Sequence, residues 1–317
     1  MEKAWMKQGL ELTVEKNGFC GCFFRGADQC SSVIIRVAGS GLSRRRVISG
    51  SKFLVDAGFH VLCLGYYKWG KLGNSLSQIP VDYVEKAIDW IQCHLQKKLE
   101  KEGILHSHER LKIGMTGVSQ GALYSLLAAS LIPEISAVAA ASPFDYIHEG
   151  HTMLYRRTGH SKHVFHGKEL PFTPWRILDT NVMKILVGII KDKKYGLLRS
   201  LRYGYDKNGE DEASRILVEN MNAHVLLLSS HDDHCWPAEE AAGRIGDILA
   251  TTDYPYHVES YVYGNGCHNM GGDMGLTAVE RKAMSLLIHF LPNSIEQYIH
   301  CVEDSKEKIV EFFHRYL

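Results

Sequence analysis

Short apolar runs that alternate with amphipathic stretches are the feature of this sequence that most restricts its fold. Runs such as SVIIRV (Ser32–Val37) and HVLLL (residues 224–228) are mostly apolar throughout, which is typical of strands covered on both faces. The stretch over residues 81–99 instead repeats its apolar residues at helical spacing. Because repeated strand–helix units build a parallel sheet with helices on both faces, the sequence predicts an α/β fold with a mostly parallel sheet.

Two segments depart from this alternation. Residues 10–26 contain two alternating runs joined by Asn17-Gly18, the dipeptide that most strongly indicates a two-residue β-hairpin. Residues 143–215 are rich in histidine, lysine, arginine and tyrosine, and their one compact apolar piece covers residues 182–190. We therefore expect a single domain over residues 1–317, in which residues 143–215 form a lid inserted over the sheet.

The composition excludes several classes of protein. With 36 basic and 36 acidic residues, the chain has no clustered positive excess for a nucleic-acid partner. No apolar run approaches the ~20 residues of a membrane span, and no apolar signal core is seen near the first residue, so we expect a cytoplasmic protein. Its 8 cysteines are scattered, which favours reduced structural thiols. The histidines follow no metal-ligand spacing, so neither a metal nor an organic cofactor is predicted.

The pentapeptide GVSQG (residues 117–121) is the strongest motif in the chain. It fits the G-x-S-x-G nucleophile elbow, in which a serine lies on a strained turn between a strand and a helix. An apolar strand directly precedes it and an apolar helix directly follows it, as the motif requires. This context predicts Ser119 as a nucleophile and an α/β-hydrolase fold for the whole chain.

An acid and a histidine should follow such a serine, each after a later strand. The strand HVLLL is followed by SSHDDHCWP (residues 229–237), and the strand ending near Tyr263 is followed by GNGCH (residues 264–268). His268 is the predicted general base. Asp233 is the favoured acid because D-x-x-W-P leads into the next helix, and Asp232 remains the alternative.

Two backbone N–H groups should stabilise the oxyanion. The first is that of Gln120, at the start of the helix after Ser119. The second should come from the loop after the third strand, where Ser40 is the candidate. Three arginines follow this loop at residues 44–46, either as contacts for phosphates of a large anionic substrate or as a solvated helix face.

Five segments of the chain resemble the acyl-CoA thioesterase / bile acid-CoA:amino acid N-acyltransferase family. They are GFHVLCLGYYKWGKL (58–72), IPVDYVEKAIDWI (79–91), GVSQGA (117–122), HGKELPF (166–172) and HVLLLSSHDDHCWP (224–237). The resemblance covers residues 30–290 and implies the family's C-terminal α/β-hydrolase domain, with Ser119, Asp233 and His268 as the catalytic residues. It also implies that Tyr66 and Tyr67 form part of the substrate pocket wall. The hydrolases of this family have serine at the elbow, whereas its amino-acid-conjugating branch has cysteine.

These observations predict a serine hydrolase that cleaves acyl thioesters through an acyl-enzyme. A carboxylesterase or small-peptide hydrolase is the first alternative, because the fold hosts many acyl-transfer reactions. An acyl-CoA:amino acid N-acyltransferase is the second. A catalytically inactive fold used for binding is the third, and the intact Ser–Asp–His order argues against it. The expected partner is a small-molecule ester or thioester, with no nucleic acid and no membrane.

Overall fold

The computed structural model describes most of the chain, namely residues 8–40, 43–106, 109–152, 156–176, 200–231, 233–264, 268–271 and 295–317. Its strands are β1 (Leu10–Leu12), β2 (Cys20–Phe24), β3 (Ser32–Val37), β4 (His60–Gly65), β5 (Ile79–Pro80), β6 (Lys112–Val118), β7 (Ile135–Ala141), β8 (Glu149–His151), β9 (Arg157–Ser161), β10 (His163–Phe165), β11 (Lys168–Glu169), β12 (His224–Ser230) and β13 (Val258–Tyr263).

Its α-helices are α1 (Val14–Asn17), α2 (Arg44–Ser49), α3 (Lys52–Asp56), α4 (Asp82–Trp90), α5 (Lys97–Lys101), α6 (Gln120–Leu131), α7 (Ser200–Asn208), α8 (Ala238–Thr251) and α9 (Ile295–Tyr316). A π-helical turn (Ile91–Gln96) connects α4 to α5, and two 3₁₀ turns cover Glu212–Ser214 and Val218–Asn220. Within the described residues, no helix combines the length and apolar composition needed to cross a membrane.

Among the described residues, eight strands form one mostly parallel sheet, in the order β1-β2-β4-β3-β6-β7-β12-β13. The pairs β1–β2 and β2–β4 are antiparallel, and the strands from β4 to β13 run parallel to one another. Two apolar clusters cover its two faces: one includes buried residues of α4, α6 and α8, and the other includes buried residues of α2, α3 and α9. The prediction of an α/β fold with helices on both faces is confirmed.

The N-terminal connection differs from the predicted hairpin. Strands β1 and β2 do pair antiparallel, with Leu10 opposite Phe23, but a single turn of helix α1 joins them. Asn17 bonds back to Thr13, whose backbone N–H donates to the Asn17 Oδ1 atom over 3.1 Å. This bond closes a four-residue turn, and Gly18, at φ 79°, ends the helix instead of forming a two-residue hairpin turn.

The predicted amphipathic helix over residues 81–99 contains a wider turn. Its middle, Ile91–Gln96, is π-helical, and Ile91, Leu95 and Leu99 are all buried. These three residues are four apart, a spacing that a wider turn keeps on one face more easily than a regular α-helix. The apolar pattern therefore predicted the buried face correctly and the helix geometry only in part.

The strands that follow β7 and precede β12 lie in two small sheets, one of which also includes β5. Strand β8 pairs with β9, and β10 pairs with β11 and with β5, all outside the eight-stranded sheet. This arrangement is consistent with an insertion over residues 143–215, whose role as a lid stays a prediction. The apolar piece at residues 182–190 lies outside the described residues.

Helix α9 is attached to the edge strand β13. The Tyr263 hydroxyl donates to Asp304 over 2.7 Å, and Arg315 donates to Glu259 over 2.6 Å. The buried Ser305 hydroxyl accepts a hydrogen bond from the Gly271 backbone N–H over 2.9 Å. The last helix therefore holds both the edge strand and the chain that follows it.

Candidate active site

Ser119 lies on a sharp turn between β6 and α6. Its backbone has φ 57° and ψ −124°, a conformation that is strained for a residue with a side chain. The Ser119 N–H donates to the Ala141 carbonyl oxygen over 2.9 Å, which joins the turn to the neighbouring strand β7. The turn thus places the Ser119 side chain at the carboxyl end of the parallel strands, where open α/β sheets bind their ligands.

Both glycines of the motif are required by close backbone contacts. A Cβ atom at Gly117 would lie 2.3 Å from the Gly121 carbonyl group, and one at Gly121 would lie 2.5 Å from the Ala38 carbonyl oxygen. These neighbours are backbone atoms, so they cannot move aside as a flexible side chain would. The G-x-S-x-G pattern therefore reflects the tight packing of the turn against itself and against the end of β3.

We expect Gly121→Ala to lower the free energy of unfolding by about 3 kcal/mol, because the new methyl group must displace backbone. Gly243→Ala is the matched control, since Gly243 lies inside helix α8 with nothing within 4 Å of its added Cβ. That control should stabilise the protein by about 0.5–1 kcal/mol. Urea unfolding measures both values. Equal stabilities for the two variants would contradict the assigned packing of the turn.

His268 connects Ser119 to an aspartate. Its Nε2 atom lies 2.7 Å from the Ser119 Oγ atom, and its Nδ1 atom lies 2.7 Å and 2.9 Å from the two carboxylate oxygens of Asp233. Asp233 also accepts backbone N–H groups from Cys235 at 2.8 Å and Trp236 at 3.3 Å. These contacts fix the orientation of the carboxylate. The structure therefore brings together the three residues predicted as nucleophile, base and acid. The alternative acid, Asp232, lies outside the described residues.

The backbone and ring of His268 have further contacts that the sequence did not predict. The Ser142 hydroxyl, directly after β7, donates to the His268 carbonyl oxygen over 2.8 Å. The Trp236 ring stands edge-on to the imidazole at 5.7 Å and donates its Nε1–H to the Ser142 carbonyl oxygen over 3.1 Å. Ser142 has φ 48°, but its sequence context, ASPF, carries no motif that would have revealed this role.

The surroundings of His268 stabilise the charged form of its imidazole. Burial opposes a charge on His268, which is 7% exposed, but the Asp233 carboxylate outweighs this effect and holds the His268 pKa well above its usual value. Burial also raises the pKa of the Cys235 thiol, which contacts the imidazole. An imidazole with a raised pKa is a strong proton acceptor for the neighbouring hydroxyl.

The other predicted site residues surround the turn. The Gln120 side chain is buried at the start of α6. Ser40 is exposed and follows Gly39, whose added Cβ would lie 3.1 Å from the Val118 carbonyl oxygen. This loop and the serine turn are therefore in contact. Tyr66 is buried and donates its hydroxyl to the Ala38 carbonyl oxygen over 2.7 Å. This hydrogen bond connects the residue that follows β4 to the residue that follows β3.

Tyr67 and Arg44 are two further residues that the sequence singled out. Tyr67 is buried, with its ring 5.1 Å from that of Tyr66. Arg44 forms an ion pair with Glu11 and lies over the Trp69 ring at 5.7 Å. Both members of the ion pair are about half exposed, which agrees with the interpretation of Arg44 as part of a solvated face.

Two groups of described side chains have the atoms that metal ions bind. Asp233, Cys235 and His268 form one group, and the partly exposed Asp82, Glu85 and His166 form the other. In the first group the aspartate and histidine already bond to each other. In the second, the His166 Nε2 atom lies 2.9 Å from Glu85, and its backbone N–H donates to Asp82 over 3.0 Å.

Chains with serine, acid and histidine in this order at the carboxyl ends of such a sheet are α/β-hydrolases, and this chain has that fold. The match to a family is equally direct. Residues 79–317 match the family described as "BAAT / Acyl-CoA thioester hydrolase C terminal", and the chain belongs to that family.

Known proteins of similar sequence and structure agree with this assignment. The chain is 26% identical over 211 residues to acyl-coenzyme A thioesterase 1 of Mus musculus, covering 67% of this chain and 42% of that protein. It is 25% identical over 201 residues to acyl-coenzyme A thioesterase 1 of Homo sapiens, covering 63% of this chain and 39% of that protein. The chain thus spans less than half the length of these relatives.

A solved structure shares the fold at low sequence identity. It is a candidate dienelactone hydrolase from Klebsiella pneumoniae, with a TM-score of 0.55 and 14% identity over 97% of this chain and 98% of that one. The structural match supports the α/β-hydrolase fold.

Proposed function

We propose that this protein is a serine hydrolase that cleaves acyl thioesters, with Ser119 as nucleophile, His268 as general base and Asp233 as acid. The observation that carries the proposal is the continuous path of hydrogen bonds from the Ser119 hydroxyl through the imidazole to the Asp233 carboxylate. The family match and the thioesterases among the relatives support the thioester as substrate. The strained backbone of Ser119 supports its role as nucleophile.

The geometry supports a two-step reaction. The Ser119 oxygen attacks the thioester carbonyl carbon while the His268 Nε2 atom accepts the hydroxyl proton. The carbon–sulfur bond then breaks, and the leaving thiolate takes that proton from His268. Water attacks the resulting ester with His268 again as base, releasing the free acid and restoring Ser119.

Two backbone N–H groups are proposed to bind the oxyanion of both steps. The Gln120 N–H begins helix α6, where the helix dipole adds positive potential, and the Ser40 N–H belongs to the adjoining loop. Each such donor is typically worth about 3–4 kcal/mol of barrier. Tyr66 and Tyr67 are proposed to line the acyl pocket, and the insertion over residues 143–215 to cover it.

A panel of acyl-CoA thioesters and p-nitrophenyl esters of equal chain length tests the substrate class. We expect kcat/KM to be at least about tenfold higher for the thioesters, which corresponds to about 1.4 kcal/mol of preferential transition-state binding. The same panel measured with His314→Ala is the control for general effects of substitution, since His314 lies near the chain end on α9. A preference for the oxygen esters would favour a carboxylesterase instead.

The nucleophile also predicts what receives the acyl group. A cysteine would leave an acyl thioester, which amines attack readily, whereas Ser119 leaves an oxygen ester whose breakdown relies on base-activated water. We therefore expect the free acid as the product even with about millimolar glycine or taurine present, and a raised ratio of amide to acid in Ser119→Cys. Mass spectrometry of the products measures this ratio. A wild-type enzyme that produced mainly the N-acyl amino acid would be a transferase.

We also propose a cytoplasmic location, and the composition of the chain supports it. The 8 cysteines are scattered in sequence instead of paired at short spacing, as is usual for reduced thiols in a reducing compartment.

A further inference from the structure

A fully buried lysine lies beneath the serine turn. Lys162, between β9 and β10, is 1% exposed, and its ammonium donates to the side-chain Oε1 atom of Gln120 over 3.2 Å. Among the described residues, no carboxylate pairs with this ammonium. A buried charge without a counter-charge is costly, and groups perturbed in this way cluster at functional sites.

The groups that face Lys162 leave its charge uncompensated. They are the imidazoles of His148, His151 and His163, on or beside strands β8 and β10, and the neutral amide of Gln120 on α6. Burial, aided by the lysine charge, lowers the pKa of all three histidines, to about 4 for His151 and about 3 for His163. The histidines are therefore neutral, and Lys162 provides the positive charge of this cluster.

Gln120 connects this charge to the reaction centre. Its side-chain Oε1 atom accepts from Lys162 over 3.2 Å, and its Nε2 atom lies 3.2 Å from the His163 Nε2 atom. Both polar atoms of the amide therefore have a hydrogen-bond partner. The same residue follows Ser119 directly and supplies the proposed oxyanion N–H. The contacts of the Gln120 side chain thus restrain the residue whose backbone N–H is proposed to bind the oxyanion.

We propose that Lys162 is a positioning residue of the oxyanion site, which holds Gln120 in place and adds a positive charge that favours the transition state. The charge costs free energy in the resting protein, and a negative charge appears beside Gln120 only when the carbonyl is attacked. An interaction that is stronger in the transition state than in the ground state raises kcat. The inference rests on the proposed role of Ser119.

The pH dependence separates this electrostatic role from a merely structural one. Burial lowers the pKa of Lys162 to about 8, so the lysine of the wild-type protein loses its charge within an accessible pH range. Lys162→Met removes the charge at every pH. The loss caused by Lys162→Met should therefore be largest at neutral pH and should become smaller where the wild-type lysine is itself neutral, since a neutral amine still donates to Gln120 and methionine does not.

The rate constant for labelling of Ser119 by a fluorophosphonate measures this effect without knowledge of the natural substrate. Near pH 7 we expect Lys162→Met to label about tenfold more slowly than wild type, and above about pH 9.5 the difference should shrink to about threefold or less, the part due to the lost bond to Gln120. Lys162→Arg stays charged at high pH and should exceed wild type there. A labelling ratio that is constant over pH would overturn the proposal.

Two further measurements keep the result unambiguous. Urea unfolding should find Lys162→Met at least as stable as wild type, since an apolar side chain replaces an unpaired buried charge. If that variant does not fold, the comparison of wild type with Lys162→Arg decides, because the wild-type rate alone should fall above about pH 8. A wild-type protein that is not labelled at Ser119 would instead contradict the proposed function.

Discussion

A Ser119→Ala variant is expected to hydrolyse acyl thioesters about a millionfold more slowly than the wild-type enzyme, with unchanged folding. The Ser119 hydroxyl is the one proposed nucleophile, and its bond to the His268 Nε2 atom has no substitute once the oxygen is removed. Residual activity would come from the oxyanion donors alone. Steady-state kinetics with an acyl-CoA ester measures the loss, and circular dichroism checks that the fold persists.

Ser125→Ala is the matched control for this experiment. Ser125 lies on helix α6, which follows Ser119, is fully buried, and donates its hydroxyl to the Gly121 carbonyl oxygen over 2.8 Å. Its loss should leave kcat within about twofold of wild type. If Ser119→Ala kept more than about a tenth of the wild-type kcat, Ser119 would not be the nucleophile.

Asp233→Asn is expected to lower kcat by about ten-thousandfold, because an amide holds the imidazole in the wrong tautomer and does not stabilise its charged form. Asp232→Asn, the neighbouring substitution, should change kcat by about twofold or less. The opposite ranking would make Asp232 the acid. Both variants change one carboxylate to an amide of the same shape. Any difference between their activities therefore reflects the position of the carboxylate and not the type of substitution.

The pH profile of Asp233→Asn adds a second readout. The Asp233 carboxylate raises the His268 pKa, and only the neutral imidazole accepts a proton, so wild-type activity should fall as the pH drops through a value above 6.5. Removal of the negative charge lowers the His268 pKa and should move this acid limb down by about one pH unit or more. An acid limb that did not move would show that Asp233 does not face the imidazole in solution.

The layout of the fold and the positions of the three central residues could be predicted because each depends on local sequence. Mostly apolar runs identified the inner strands, and the glycines at 117 and 121 identified the serine turn that close backbone packing explains. Asp233 and His268 were found because each follows a strand in the order that the fold requires. Such signals need only a few neighbouring residues.

Contacts between distant segments could not be predicted in the same way. The bond from Ser142 to His268 and the bond from Lys162 to Gln120 join residues that are 126 and 42 positions apart. Neither pair belongs to a motif, and a buried lysine in a polar stretch looks like any surface lysine. The prediction of a two-residue hairpin turn at Asn17-Gly18 was wrong for a local reason. The Thr13 N–H donates to the Asn17 side chain and closes a helical turn, which the Asn-Gly dipeptide does not indicate.

The attachment of helix α9 has a consequence for how long the proposed active site keeps its geometry. His268 follows the edge strand β13, which pairs with β12 on one side, and edge elements open at lower free energy than the centre of a sheet. The bonds from Tyr263 to Asp304 and from Gly271 to Ser305 oppose that opening. We therefore expect the position of His268, the proposed general base, to depend on the local stability of helix α9, which lies far along the chain from Ser119.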